Sequence, residues 1–132
     1  MLSQNSGPFV LVVDDNPETL NLFARALELG GLEVRTANSV KRALQVIYDD
    51  GARRPGLIIT DLMMPQTSGW DFLKHLRAER ALQSVPVIVI TGAEPGESEQ
   101  LADIVLQKPL DLVQLVETVK SLLARARPTE TE

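Results

Sequence analysis

The sequence predicts an α/β domain: five strand–helix units, (βα)5, wound around one open parallel sheet with helices on both faces. Three observations carry that expectation. Short apolar, β-branched runs recur along the chain, at 9–13, 57–60, 87–90 and 104–106. They show little of the polar alternation of a half-exposed strand, as expected of strands covered on both sides. The segments between them repeat apolar residues at helical spacing.

Each element has its own justification. Phe9-Val-Leu-Val-Val13 is the first strand. Asn16-Pro17-Glu18 then starts a helix, with Asn as the cap, Pro in the first turn and an acid near the positive end of the dipole. Leu20, Phe23, Ala24 and Leu27 form its inner face, and Gly30-Gly31 stops it. Residues 32–36 alternate as a second strand. Ser39 caps a second helix with Val40, Ala43, Leu44 and Ile47 on one face, ending at Asp49-Asp50-Gly51. After the strand at 57–60 comes a loop over 61–69, then a third helix with Trp70, Leu73 and Leu76, and Phe72 beside them. Pro86 precedes the strand at 87–90. Residues 91–101 are rich in Gly, Pro, Glu and Ser and leave room only for a short helix. Pro109 ends the strand at 104–106, and Asp111 caps a last helix with Leu112, Leu115, Val116, Val119 and Leu122 inward.

Composition bounds the function. A chain of 132 residues, 44% hydrophobic, suits one domain with a real core. The expected domain covers 9–123, with short tails at 1–8 and 124–132. There is no cysteine, which excludes disulfides, thiolate metal sites and cysteine nucleophiles. The net charge is −5 and no Lys/Arg block is present, so direct DNA binding is not expected. No segment is long enough to insert in a bilayer. Residues 1–8 lack a basic region, and the apolar run that follows ends in two aspartates, unlike an export signal. A cytoplasmic location is expected.

The strand ends carry the chemistry. The first run leads into Asp14-Asp15, the third strand into Asp61, the fourth into Thr91, and the fifth, after Gln107, into Lys108. In a parallel sheet these ends share one edge, where ligands of doubly wound folds bind. Three carboxylates there suit Mg2+, which takes oxygen ligands. A carboxylate can also attack phosphorus, and an ammonium and a hydroxyl can stabilise the phosphoryl oxygens. A nucleotide-binding enzyme is disfavoured, because Asp14-Asp15-Asn16-Pro17 stands where a Gly-rich phosphate loop would follow the first strand.

In order along the chain stand Val12-Val13-Asp14-Asp15-Asn16, Asp61-Leu62-Met63-Met64-Pro65 with Gly69, Thr91-Gly92 and Lys108-Pro109. From Phe9 to Leu123 the chain resembles the CheY-like response-regulator receiver domains of two-component signalling. The resemblance implies a flavodoxin-like sheet of strand order 2-1-3-4-5. It implies that Asp61 is the phosphoacceptor and that Asp14 and Asp15 organise a Mg2+ site. Asp15, Asp61 and the backbone carbonyl of Met63 would be the direct ligands. Thr91 would contact the phosphoryl group, Lys108 would pair with its oxygen, and Lys108-Pro109 would be a cis peptide. The donor would be a phosphohistidine on a histidine kinase or phosphotransfer protein. With no output domain in the sequence, the effect is expected to pass to a downstream effector protein. Such a domain is not an enzyme beyond its own phosphorylation and dephosphorylation. The alternative is a pseudo-receiver, a constitutive interaction module without phosphotransfer.

Two departures from the family pattern stand out. Val105 occupies the position, three before Lys108, that usually carries Tyr or Phe. Thr91 and Lys108 are 17 positions apart, a short spacing that removes length from the fourth helix within 94–100. An aromatic switch and a full fourth helix are therefore not expected. The remaining residues have plain readings. His75, the one histidine, is expected on an exposed helix face, and Trp70 partly buried. Residues 94–99 read as a solvated acidic loop, and Arg125 and Arg127 as tail charges.

Overall fold

The five residues of the first strand, Phe-Val-Leu-Val-Val, are all buried, and their side chains alternate between two separate core layers. That alternation organises the whole computed structural model, which describes residues 8–49, 54–61, 69–92 and 101–125. The element order is β1 (Phe9–Val13), α1 (Pro17–Leu29), β2 (Val34–Ala37), α2 (Val40–Asp49), β3 (Pro55–Asp61), α3 (Gly69–Ala78), β4 (Val87–Thr91), β5 (Ile104–Gln107) and α4 (Leu112–Arg125). The strands form one sheet in the order β2-β1-β3-β4-β5, and every pair is parallel. The expected doubly wound architecture and strand order both hold. The short fourth helix expected within 94–100, and the acidic loop there, lie outside the described residues.

One layer joins Phe9, Leu11, Val13, Ile58, Val87 and Val89 to α2 and α3 through Ala43, Ile47, Phe72, Leu73 and Leu76. The other joins Val10, Val12, Leu57, Ile59, Ile88 and Ile90 to α1 and α4 through Phe23, Leu27, Leu115 and Val119. Each fully buried Leu, Ile or Phe contributes about 1.5 to 3 kcal/mol relative to exposure.

The expected helix caps Asn16, Ser39 and Asp111 are all seen. Asn16 Oδ1 accepts the N–H groups of Glu18 and Thr19 at 2.8 and 3.2 Å. Ser39 Oγ accepts Arg42 N–H at 3.1 Å, and Asp111 Oδ1 accepts Val113 N–H at 2.9 Å. The end of α1 shifts the second strand. Gly31, at φ +91°, takes the left-handed turn, and Leu32 N–H donates back to Leu27 O at 3.1 Å. Leu32 thus closes the helix, Glu33 O already accepts Val10 N–H at 2.9 Å, and residue-for-residue pairing with β1 begins at Val34, so the strand is 34–37 instead of 32–36.

Three placements on the helices differ from expectation. Phe72, in place of Trp70, joins Leu73 and Leu76 on the inner face of α3, while Trp70 is half-buried, as expected, with Lys74 Nζ 5.4 Å from its ring centroid. His75 is half-buried and hydrogen-bonded at Nε2 to Tyr48 Oη, 3.0 Å away, so it joins α3 to α2. Arg125 is in the last turn of α4, where a cation suits the negative end of the helix dipole.

Candidate functional site

Strand length sets the site. β3 runs two residues past its apolar core of Leu57, Ile58 and Ile59, so that Asp61 is itself the last strand residue, paired with Ile90 of β4. β4 likewise ends on Thr91, and β5 on Gln107, next to Lys108. Asp14 follows β1, and its N–H donates to Ala37 O at 3.1 Å, which ties this corner to β2. The residues that the sequence assigned to strand ends therefore meet at one edge.

One ligand oxygen from each of Asp14, Asp15 and Asp61 lies within 4.8 Å of the others. Asp14 is 4% exposed and Asp61 6% exposed, whereas Asp15 faces solvent. Lys108 Nζ lies 3.2 Å from Asp61 Oδ2 as a part-buried ion pair. Thr91, 1% exposed, is held at the adjacent strand end, and Lys108 N–H donates to Thr91 O at 2.9 Å. The Lys108-Pro109 bond is cis, as expected. Asp61, Asp14, Asp15, Thr91 and Lys108 are thus together. Met63 lies outside the described residues.

Local bonds fix these groups. Asp14 Oδ1 accepts Asn16 N–H at 2.9 Å, so the residue that caps α1 also orients a site carboxylate. The buried Thr60 hydroxyl donates to Asp61 O at 3.1 Å. Burial pushes the Asp14 carboxyl above its ordinary pKa, the Asn16 N–H opposes this, Asp61 raises it further, Lys108 opposes and Asp15 adds a smaller rise. Three carboxylates against one ammonium leave a negative excess that a divalent cation would neutralise. The donors are all hard oxygens, as Mg2+ requires, and the exposure of Asp15 leaves an open side for waters and a phosphoryl group.

Sequence reasoning missed Arg77. Its guanidinium donates to Leu101 O at 2.8 Å, to Gln83 O and Val85 O at 2.9 Å, and to Asp103 Oδ2 at 3.0 Å. Asp103 Oδ2 also accepts Val87 N–H at 2.7 Å. This network fixes the entrance of β4 and β5, at the opposite end of the sheet from the carboxylates. Three of its acceptors are backbone carbonyls, which no side-chain pattern reveals. Among the described residues, no helix is long and apolar enough to cross a membrane.

Comparison with known proteins agrees with this geometry. The family described as the response regulator receiver domain matches residues 10–120. The phosphate regulon transcriptional regulatory protein PhoB of Pseudomonas aeruginosa is 34% identical over 131 residues, covering 96% of this chain and 56% of that protein. The chain thus spans little more than half of that relative's length. The polar-differentiation response regulator DivK of Brucella anthropi is 32% identical over 123 residues, covering 89% of this chain and 97% of that protein. Among solved structures, the signal receiver domain of a signal transduction histidine kinase from Syntrophus aciditrophicus superposes with a TM-score of 0.81 at 27% identity, covering 96% of this chain and 97% of that one. The order of strands, the acidic edge and these likenesses agree: the chain belongs to the response-regulator receiver domain family of two-component signalling.

Proposed function

We propose that this receiver accepts a phosphoryl group on Asp61 from a phosphohistidine of a histidine kinase or phosphotransfer protein, and that phosphorylation changes its binding to a downstream effector. The observation that carries this reading is the Lys108–Asp61 pair, 3.2 Å apart, inside a cluster of three carboxylates. Asp14, Asp15, Asp61 and the Met63 carbonyl would hold Mg2+. A bound Mg2+ supplies charge neutralisation to the phosphoryl oxygens and relieves the mutual repulsion of the carboxylates.

The chain's own groups divide the rest. A carboxylate oxygen of Asp61 attacks phosphorus, the phosphorus–nitrogen bond of the donor breaks, and its electron pair stays on the imidazole, which leaves neutral after taking a proton. Lys108, paired with Asp61 before transfer, passes to a phosphoryl oxygen afterwards. The Thr91 hydroxyl donates to another. Asp14, oriented by Asn16 N–H, holds the acidic corner in place. Residues 9–123 serve as the receiver and act in the cytoplasm, without direct contact to DNA.

A specific observation keeps a second reading in play. Val105 is a partly buried aliphatic residue packed against the core, not the aromatic usual at that position. A pseudo-receiver would tolerate that residue. Titration with beryllofluoride and Mg2+, read by amide resonances near the carboxylates, separates the two. Saturable shifts at Asp61 and Gly92 support the phosphoacceptor reading, and their absence supports the constitutive module.

A further inference from the structure

We propose that Gln107 is a positioning residue of this site, whose side-chain amide couples Thr91 to the exposed end of β5. The inference rests on the phosphoacceptor reading above and extends it to the route by which the phosphoryl group is felt at the surface.

Strand register places the two residues. Thr91 pairs with Gln107, and two residues earlier Val89 pairs with Val105. Val89 and Val105 both pack in the layer under α2 and α3. Side chains on one face of a strand recur every second residue, so Thr91 and Gln107 continue that face as neighbours at the carboxyl edge. Thr91 is buried and Gln107 exposed, so the pair leads from the site to solvent. The Lys108 N–H bond to Thr91 O, 2.9 Å, holds the two strand ends together there.

The rest of β5 is less suited to the task. At its entrance, Asp103 N–H donates to Val87 O at 2.9 Å, and the Asp103 carboxylate is held by Val87 N–H and Arg77. The Val105 side chain in the middle can neither donate nor accept a hydrogen bond. Ile104 and Leu106 belong to the opposite layer. Gln107 is the polar residue of β5, and it lies on the Thr91 face. A carboxamide both donates and accepts, so it can follow a hydroxyl between two positions. When Thr91 turns its hydroxyl to a phosphoryl oxygen, the Gln107 amide re-pairs. The change emerges beside Gly92, Lys108 and Pro109, all exposed. The partner surface so altered is the carboxyl edge of β4 and β5.

The test uses the full chain, labelled with nitrogen-15, with beryllofluoride and Mg2+ as the probe. Loss of one side-chain amide pair in Gln107→Leu identifies the Gln107 signal. The expected result is a shift of that pair on saturation, together with the Gly92 amide, and loss of the Gln107 shift in Thr91→Val at mimic concentrations that saturate the variant. Gln107→Leu should also reduce the mimic-induced shift of the Leu110 amide, a readout that does not depend on the Thr91 variant folding. The proposal is overturned if Asp61 and Gly92 respond while the Gln107 pair does not, or if Leu110 responds equally in Gln107→Leu. If neither Asp61 nor Gly92 responds, the phosphoacceptor reading itself fails.

Discussion

Lys108 Nζ reaches Asp61 Oδ2 at 3.2 Å across two strands that are not neighbours in the sheet. Asp61 ends β3 and Lys108 follows β5, with β4 and its terminal Thr91 between them. The side chain therefore spans the end of β4, the strand that terminates at Thr91.

Lys108→Met tests that bridge. Lys108 is 40% exposed, so solvent screens the pair and its loss should cost stability only about 1 kcal/mol or less. Binding of the phosphoryl mimic should suffer more, because a charge-assisted hydrogen bond contributes about 1.5 to 3 kcal/mol, roughly 10- to 100-fold in affinity. Urea denaturation alongside a beryllofluoride titration measures both. Equal mimic affinity in the variant would remove Lys108 from the site.

Asp14 gives a pH signature. Burial first, and then Asp61 and Asp15, raise its carboxyl above the ordinary value of 3.8. The folded chain then holds this proton more tightly than the unfolded chain. The group costs no stability below 3.8, and stability is lost as pH rises through the folded value. Asp14→Asn should therefore stabilise the metal-free protein at pH 7, by roughly 1 to 3 kcal/mol, the range of one carboxylate repulsion at this spacing. The gain should vanish near pH 3. The proposed Mg2+ site predicts stabilisation of the parent by Mg2+, through binding to the folded chain alone, and this stabilisation should be lost in the variant. Thermal unfolding at both pH values, with and without Mg2+, checks all three outcomes.

Arg77→Ala separates scaffold from site. The change would leave the carbonyls of Leu101 and Val85 without this donor and would free the Asp103 carboxylate from its cation. A loss of about 2 to 4 kcal/mol is expected, the scale for breaking a part-buried charged network. Because Arg77 acts at the far end of the sheet, mimic affinity at Asp61 should stay within about threefold, less than 1 kcal/mol. Denaturation midpoints and the same titration measure the two quantities.

Much of this was legible in the sequence, for identifiable reasons. Apolar runs that stop at Asp14, Asp61 and Thr91 mark both a strand and its carboxyl end. Asn16, Ser39 and Asp111 declare helix starts because capping is local chemistry. The boundary of β2 was hidden, since the turn at Gly31 draws Leu32 back onto α1, and that bond is invisible until the helix is built. The choice between Trp70 and Phe72 as the inner residue depends on the rotation of α3 against the sheet. Arg77 and the Tyr48–His75 bond join residues far apart along the chain, so each alone reads as surface. Gln107 stands out only once the register with Thr91 is known.

The most direct measurement is the site of covalent modification. The protein, incubated with acetyl phosphate and Mg2+, is analysed as intact mass and by peptide mapping. One acid-type acyl phosphate on Asp61 is expected, absent in Asp61→Ala and absent when the cation is chelated. A phosphoryl group that persists in Asp61→Ala, or no uptake from acetyl phosphate or from a phosphorylated histidine kinase, would contradict the assignment of Asp61 as the acceptor.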